Sequence, residues 1–500
     1  MVSTTYQLSS TGPDKEQQHL CETGRRYSAL DFVKAPWPEI SEELANIDWS
    51  EMENLVKTDT ADALSLFHGN LLKILERLVP ARKKKKNKHR HKMHRMRRLL
   101  WKRICKTRKA IKKASSISKL SELLQKMWKL EAQLSSDYTA ANARDEDEAV
   151  LRIRENPKAF FSFARSRQKT KAKVGPFLDK DGRPNSSPGF AAEALRQQYN
   201  SVFAQPRPAW VVGDFQEHFK ATDENEDTLS DLQFGPDDIE KACSQLNSTS
   251  AAGPDGVPAI LLKNCRKQLS QPIFQLWRSS LDSGCIPPEL LLVLISPIHK
   301  GGSRAAPKNY RPVALTSHLI KVFERVVRQA LVKHIDKHGL IPDGQHGSRS
   351  RRSTLTQLLC HWDNILEGLE QGEGVDCVYL DFSKAFDKVE TGVLLHKLRN
   401  GKVLGKLGCW LAAFLDSAQR QQAVVVDGQI SDLSPVISGV PQGTVLGPVL
   451  FFLHIADIAR DVSPGTLTSS YVDDTRANRC ISDPDTDCQT LQDDLRGIYQ

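Results

Sequence analysis

Two acidic segments that lie 92 residues apart constrain the fold of this chain more than any other feature. The later one, Leu467–Arg476, carries Asp473 and Asp474 between short β-prone runs, a pattern that predicts a hairpin tip. The earlier acid, Asp381, follows the apolar run Val378–Leu380, which predicts a strand in a sheet covered on both faces. An adjacent pair of acids is also typical of an ordinary turn. Only a folded sheet can bring Asp381 and Asp473 together.

Two further segments accompany these acids. After the first acid, Ser383 is placed to cap a helix that continues to Leu398. Between the two acidic segments, residues 438–451 combine a glycine- and proline-rich turn with an apolar helix. Gly439 and Gly443 leave the main chain open to close approach by a ligand. The pattern therefore predicts a ligand site beside the acids.

In this order, the segments Leu380–Val389, Val440–Gly443 and Tyr471–Asp474 resemble the reverse transcriptases of non-LTR retrotransposons, the LINE-like elements of the Jockey and chicken-repeat-1 type. The resemblance is close over residues 240–500 and covers residues 40–240 only in layout. It implies an α+β fold of the right-hand polymerase type, with fingers, an antiparallel palm sheet and helices, preceded by a mostly helical basic region. It also implies a truncated chain that lacks the thumb and the endonuclease domain.

Composition and periodicity divide the chain into four predicted regions. Apolar residues at helical spacing predict a helix over 51–79 and another over 117–134. The predicted regions are a loosely ordered lead-in (1–50), a basic helical connector (51–168), a linker and pre-fingers segment (169–235), and incomplete fingers and palm (236–500). There is no run of about 18 apolar residues, so we expect no membrane partner.

Positive charge is concentrated in one segment. The formal net charge of the 500 residues is +10, which favours a polyanionic partner. Residues 82–113 contain 18 lysines and arginines and no acid. This run predicts contact with nucleic-acid phosphates, and is also typical of nuclear import signals and of solvated linkers. The lysines predicted to make the contact are Lys83, Lys84, Lys85 and Lys86. The ten cysteines include no C-x-x-C pair, which favours an intracellular setting over a disulfide framework or zinc site.

The resemblance implies roles for particular residues. Asp381, Asp473 and Asp474 would be catalytic and, with the Phe382 carbonyl, would hold two Mg²⁺ ions, or Mn²⁺. The residues implied to contact the nucleotide are Lys300, Lys308, Arg311, Phe386, Pro441, Gln442, Gly443 and Tyr471. The residues expected to contact template or primer are Arg349, Arg351 and Arg352.

Two of these assignments have a direct physical reading. Strand candidates at 293–300 and 308–315, joined by a basic, glycine-rich connection, predict a hairpin that folds over a triphosphate. Arg311 suits a phosphate because it offers bidentate donors and keeps its charge, although an arginine without a role on the surface is the alternative. The resemblance places the Phe386 ring beneath the sugar, where it would clash with a 2′-hydroxyl and select deoxynucleotides.

The implied activity is RNA-directed DNA polymerisation, in which a dNTP is joined to a primer 3′-hydroxyl on an RNA template. In the family, the primer is a nicked chromosomal end. One alternative is an inactive, truncated protein that only binds nucleic acid. An RNA-dependent RNA polymerase is another, disfavoured because Phe386 would exclude ribonucleotides. We expect an intracellular protein that copies RNA at the target site in the nucleus, with a cytoplasmic ribonucleoprotein as the alternative location.

Overall fold

The computed structural model describes residues 24, 26–82, 95–112, 114, 116–155, 174–179, 181–204, 219, 227–347, 349, 351–440 and 443–499. The chain divides into two compact units. The main unit comprises Met1–Arg82 and Val174–Gln500, and the helical unit comprises Lys83–Lys173. Among the described residues, no helix combines the length and the apolar character needed to cross a membrane.

The secondary structure mixes helices and strands, as an α+β fold requires. The helices are α1 (Trp37–Ala45), α2 (Ser50–Leu55), α3 (Thr60–Leu78), α4 (Arg95–Ile111), α5 (Ile117–Glu155), α6 (Pro188–Asn200), α7 (Pro236–Ser244), α8 (Ala259–Asn264), α9 (Arg266–Ser283), α10 (Pro288–Leu291), α11 (His318–His338), α12 (Thr354–Glu370), α13 (Thr391–Asn400), α14 (Gly405–Leu415), α15 (Gly447–His454) and α16 (Pro484–Tyr499). Short 3₁₀ turns lie at Phe32–Lys34, Pro307–Asn309 and Ala385–Lys388.

Two larger sheets and one short hairpin organise the strands of the main unit. The strands are β1 (Phe177–Leu178), β2 (Pro184–Asn185), β3 (Leu292–His299), β4 (Tyr310–Leu315), β5 (Gly374–Leu380), β6 (Gln421–Val426), β7 (Gln429–Ile430), β8 (Ser434–Pro435), β9 (Thr466–Tyr471) and β10 (Asp474–Ile481). An antiparallel sheet has the order β5-β10-β9. A five-stranded sheet has the order β4-β3-β6-β7, with β8 also paired to β6. Strand β3 is antiparallel to β4 and parallel to β6.

A buried aromatic cluster joins three helices in the core of the main unit. The Trp277 ring of α9 stacks on the Phe323 ring of α11, with centroids 4.8 Å apart and planes 4° apart. The Trp410 ring of α14 meets both of them edge-on. All three side chains are fully buried. Since aromatic rings bury large apolar areas, this cluster is a main source of stability for the unit.

Local sequence signals explain the ends of α11, the longest helix of the core. Ser317 caps its first turn by accepting a hydrogen bond from the Leu319 N–H at 3.0 Å. Gly339 follows the helix in the left-handed conformation, with φ of 58°. Its N–H donates to the Ile335 carbonyl, which satisfies an acceptor of the last turn. The same rules would have allowed both ends to be read from the sequence.

The predicted loosely ordered lead-in is wrong over its described part. Residues 26–50 include helix α1, whose Ile40 and Leu44 are fully buried in the core of the main unit. The predicted helix over 51–79 is two helices, because the Asp59 carboxylate caps a new helix by accepting the N–H groups of Ala61 and Asp62. Helices α1 and α2 are short, and they are ordered by tertiary contacts.

Two of the predicted region boundaries also differ from those in the structure. Residues 51–82 pack in the main unit, so the basic connector predicted over 51–168 is divided near Lys83. The described part of the segment predicted as a linker is structured: Phe177 of β1 is buried, and its ring meets the Tyr310 ring at 5.6 Å. The Tyr310 hydroxyl also accepts the Gly175 N–H at 3.1 Å. Glycine and proline mark turns here rather than a free linker.

The helical unit is an antiparallel pair formed by α4 and α5. Arg97 near the start of α4 pairs with Asp137 of α5, and Arg108 near its end pairs with Glu131. The predicted helix over 117–134 is therefore confirmed and extends to Glu155. The side chains of Lys83, Lys84, Lys85 and Lys86 lie outside the described residues, so their contact with nucleic acid stays a prediction.

Candidate active site

The acidic pair lies at the tip of a tight hairpin, as predicted. Tyr471, the last residue of β9, pairs with Asp474, the first residue of β10. Val472 and Asp473 therefore form a two-residue loop between the strands. A two-residue loop is a tight connection between antiparallel strands. Asp473 and Asp474 therefore lie at the end of the sheet.

Asp381 reaches the same end of the same sheet. Leu380, the last residue of β5, pairs with Thr475 of β10. Asp381 directly follows Leu380 and Asp474 directly precedes Thr475, so the antiparallel register carries both acids to neighbouring positions. The sheet thereby brings Asp381 beside Asp474, 93 residues later in the chain and next to Asp473. This confirms the prediction that a folded sheet gathers the separated acids.

These carboxylates have no protein partner in the part of the chain that the structure describes. Asp381 and Asp474 are exposed and Asp473 is partly buried. Neighbouring carboxylates repel each other, and oxygen donors are what hard divalent cations bind. The donor set therefore fits a divalent cation. Among the described residues, however, no group of three or more His, Cys, Asp or Glu side chains has the arrangement of a complete metal site.

Strand β5 is less buried than the sequence predicted. The His361 ring of α12 contacts the Tyr379 hydroxyl at 3.1 Å on one face, and Cys488 of α16 contacts Asp376 on the other. Both faces are covered only in part, and every residue of β5 is at least partly exposed. The reason is its position at the edge of the sheet, where it pairs with a neighbour on one side only.

The single helix predicted after Asp381 is also wrong. A 3₁₀ turn at Ala385–Lys388 comes first, and α13 begins separately at Thr391. Lys384, which precedes the turn, has a φ of 59°, and a helix cannot continue through a residue in this conformation. Ser383 caps neither the turn nor α13. The tertiary contacts of Phe386 hold the turn in this form.

Phe386 connects the turn to the glycine-rich segment. Its ring stacks on the Phe451 ring of α15 with centroids 4.4 Å apart, and its carbonyl accepts the Val440 N–H at 2.9 Å. Gly439 has a φ of 84°, and a Cβ there would lie 2.7 Å from the Phe386 carbonyl oxygen. Glycine is required here because the two main chains touch. Helix α15 confirms the apolar helix predicted after the turn.

Two buried charged residues hold this segment, and sequence reasoning missed both. The Glu324 carboxylate of α11 accepts the N–H groups of Val445 and Leu446 at 2.6 and 2.9 Å. Burial raises the pKa of Glu324 to about 7, against the opposing effect of these hydrogen bonds. Arg420 donates to the Gly439 carbonyl at 3.0 Å, and burial lowers its pKa to about 10. For Glu324, the available signal was a charged residue at a position where the helical period of α11 predicts core. Arg420 directly precedes β6 and lies in no helix, so this signal does not apply to it.

Gly443 lies against the other sheet. It has a φ of 105°, and a Cβ there would approach the Ala314 carbonyl of β4 to 3.0 Å. Pro441 and Gln442 lie outside the described residues. Tyr471 is partly buried at the end of β9. Gly443, a member of the predicted nucleotide site, therefore lies against β4, a strand of the predicted fingers hairpin.

The predicted fingers hairpin is present as β3 and β4. Its strands pair antiparallel, with Arg311 opposite Ile298. Lys300, Lys308 and Arg311 are all exposed, and among the described residues none of their side chains has an ion-pair or hydrogen-bond partner. The hairpin therefore presents three cations that are available to an anionic ligand.

The three arginines of the predicted template loop have different environments. Arg349 and Arg352 both pair with Asp343 of the same loop, at 3.5 and 3.3 Å. Arg351 is exposed, has a φ of 63°, and has no partner among the described residues. Arg351 is therefore the member most available to a phosphate. The loop is followed by α12, whose first turn is capped by Ser353.

The sequence matches the reverse transcriptase (RNA-dependent DNA polymerase) family over residues 298–489. It is 30% identical over 257 residues to a probable RNA-directed DNA polymerase from the transposon X-element of Drosophila melanogaster, covering 50% of this chain and 28% of that protein. It is 30% identical over 246 residues to the RNA-directed DNA polymerase from the mobile element jockey of Drosophila melanogaster, covering 48% and 26%. A probable RNA-directed DNA polymerase from transposon BS of the same species is 27% identical over 252 residues, covering 48% and 28%.

The matched range contains β4 and the three strands that carry the acids. The match implies a polymerase fold with palm and fingers for this part of the chain, and its mixture of helices and strands is consistent with that fold. The relatives that it matches are named as RNA-directed DNA polymerases of mobile elements, the kind of protein that the sequence motifs resemble. The family resemblance carried by the short motifs around Asp381, Gly443 and Asp473 is confirmed. The chain spans little more than a quarter of the length of these relatives.

Proposed function

We propose that the chain is an RNA-directed DNA polymerase that joins dNTPs to a primer 3′-hydroxyl on an RNA template. The observation that carries the proposal is the gathering of Asp381, Asp473 and Asp474 at one end of one sheet. The names of the relatives, RNA-directed DNA polymerases of mobile elements, support the same activity. The primer in this proposal is a nicked chromosomal end, so the chain would act in the nucleus.

The proposed metal site uses the three acids and one main-chain oxygen. Asp381 and Asp473 would hold two Mg²⁺ ions, or Mn²⁺, with Asp474 as a further, more peripheral carboxylate. The Phe382 carbonyl, which accepts the Ala385 N–H at 3.2 Å, keeps a second lone pair for a cation. When bound, such ions activate the attacking hydroxyl and neutralise charge on the triphosphate. The protein contributes the sheet that holds the acids at one point.

The exposed cations of the fingers hairpin would bind the triphosphate, with Arg311 as the main contact and Lys300 and Lys308 as supporting ones. We expect Arg311→Ala to raise the KM for dNTPs about thirty-fold, because a hydrogen bond to a charged group contributes about 2 kcal/mol. The measurement is steady-state primer extension at varied dNTP concentration. Arg183→Ala, at an exposed arginine in the loop between β1 and β2, serves as the control. An equal rise in both variants would contradict the assignment.

Phe386 would select deoxynucleotides by occupying the space that a 2′-hydroxyl needs. Its ring is held by the stacking on Phe451, so it cannot easily yield to the larger sugar. We expect Phe386→Ala to raise the ratio of ribonucleotide to deoxynucleotide incorporation about a hundred-fold, since steric overlap costs about 1–3 kcal/mol. Competition between the two nucleotides in one assay measures this ratio. An unchanged ratio in an active variant would refute the role.

The remaining predicted contacts are with the nucleotide and with nucleic-acid phosphates. Gly443 and Tyr471, together with Pro441 and Gln442, would line the pocket for the nucleotide and the template base. Arg351 would contact the phosphate backbone, as would the basic lysine run of the helical unit. These contacts hold the template strand in register with the incoming nucleotide.

Primer extension on an RNA template with dNTPs and Mg²⁺ tests the proposed function. Elongation that requires the RNA template supports a polymerase. Salt-sensitive binding of RNA without elongation would overturn the proposal in favour of a nucleic-acid-binding protein, because phosphate contacts alone make binding depend on salt.

A further inference from the structure

A buried glutamine holds the main chain of the acidic hairpin. The Gln345 side chain is 4% exposed. Its Oε1 accepts the N–H of Val472 at 3.0 Å, and its Nε2 donates to the carbonyl of the same residue at 3.2 Å. Oε1 also accepts the Gly347 N–H at 2.8 Å. One neutral side chain thus satisfies both main-chain polar groups of the residue that precedes Asp473.

The residue held in this way is in an unfavourable conformation. Val472 has a φ of 63°, in the left-handed region. A β-branched residue is rare there, and two-residue hairpin loops usually place glycine, asparagine or aspartate at such positions. The local sequence would not choose this conformation, so contacts from elsewhere must hold it. The two hydrogen bonds from Gln345 are such contacts.

The segment around Gln345 is built to lie against the hairpin. The Gly344 carbonyl accepts the Ser470 N–H at 2.9 Å, and the His346 N–H donates to the Ser470 carbonyl at 2.8 Å. A Cβ on Gly347 would lie 2.8 Å from the Val472 nitrogen, and a Cβ on Gly344 would lie 2.6 Å from the Thr468 carbonyl oxygen. Glycines on both sides of the glutamine therefore allow the two main chains to approach.

We propose that Gln345 is a positioning residue for the catalytic hairpin, an inference that rests on the proposed polymerase function. It holds Val472 in the left-handed conformation and thereby directs Asp473 toward Asp381. Without this clamp, formed by the two hydrogen bonds from Gln345 to Val472, Val472 relaxes to a negative φ and the Asp473 carboxylate turns away from Asp381. The neutral amide does this without adding a charge beside the acids.

The test compares Gln345→Ala with Gln357→Ala, which removes an equally buried glutamine of α12 that is 3% exposed and whose Nε2 has no hydrogen-bond partner among the described residues. We expect Gln345→Ala to lower kcat about a hundred-fold, since misplacing a reacting group by about 1 Å has that effect, with little change in KM for dNTPs. Amide hydrogen exchange at residues 470–475 should accelerate in the same variant. The control should change neither quantity.

A second variant separates positioning from general damage. Val472→Gly places at the strained position a residue that adopts positive φ at no steric cost. Removing Gln345 should therefore lower kcat much less in the Val472→Gly background than in the natural one. An equal loss in both backgrounds, or an unchanged kcat in Gln345→Ala, would overturn the proposal.

Failure of the proposed function has a different signature. If the unmodified chain shows no template-dependent extension, the polymerase assignment is overturned. Amide exchange at Val472 then tests the clamp independently of activity. Exchange that is equally fast in the unmodified chain and in Gln345→Ala would overturn the clamp even in an active enzyme.

Discussion

The Asp473→Asn, Asp474→Asn double variant is expected to lose RNA-templated primer extension by at least about a thousand-fold. The two substitutions remove two of the three carboxylates that the sheet collects at one end. Stabilisation of transition-state charge by bound metal amounts to several kcal/mol, and about 4 kcal/mol corresponds to a thousand-fold in rate. The measurement is the initial rate of primer extension with dNTPs and Mg²⁺, compared with that of the unmodified chain.

The fold should survive this change. Asp473 is only partly buried, Asp474 is exposed, and neither has a partner in the described part of the chain, so the free energy of unfolding should stay within about 0.5 kcal/mol. Asp427→Asn is a matched control, because Asp427 is an exposed acid in the two-residue loop between β6 and β7. Full activity in the double variant, or equal loss in the control, would exclude the acids from catalysis.

Trp277→Ala should produce the largest loss of stability. Trp277 is fully buried and contacts the rings of Phe323 and Trp410, so its removal leaves a cavity where α9, α11 and α14 meet. Truncating a buried tryptophan to alanine lowers the free energy of unfolding by about 3–5 kcal/mol. Urea unfolding followed by circular dichroism measures the change. The slope of the free energy of unfolding against urea concentration should stay the same.

Trp362→Ala is the matched control for this prediction. The Trp362 side chain on α12 is 54% exposed, so its removal opens no cavity. We expect its effect on the free energy of unfolding to stay below about 1 kcal/mol. Similar losses in the two variants would mean that the aromatic cluster is not the centre of the core.

Much of the active site could be predicted from short motifs. The Asp473–Asp474 hairpin, the fingers hairpin with Arg311 and the apolar helix after Gly443 were all expected and are present. These features are local: turn residues and apolar runs select them within about ten residues of chain. The family resemblance implied the roles of the same residues, and these roles stay proposals until they are measured.

Predictions failed where short elements depend on distant partners. The helix expected after Ser383 became a 3₁₀ turn because Phe386 stacks on Phe451, 65 residues later in the chain. The expected loose lead-in contains a helix that buries Ile40 and Leu44 in the core. The first contact leaves no period in the local sequence, and the second leaves only the spacing of Ile40 and Leu44, which is too short a pattern to identify a helix by itself.

The sequence by itself determined which residue types the proposed chemistry uses. They are two separated acidic segments, a cationic hairpin and glycines that allow close approach to the main chain. Only the tertiary structure decided that β5 and β10 pair in the register that brings Asp381 beside Asp474. It alone also showed that Gln345 holds Val472 in a conformation that valine disfavours. Turn and strand preferences act over a few residues, whereas register and strain are set by contacts between parts of the chain that fold together.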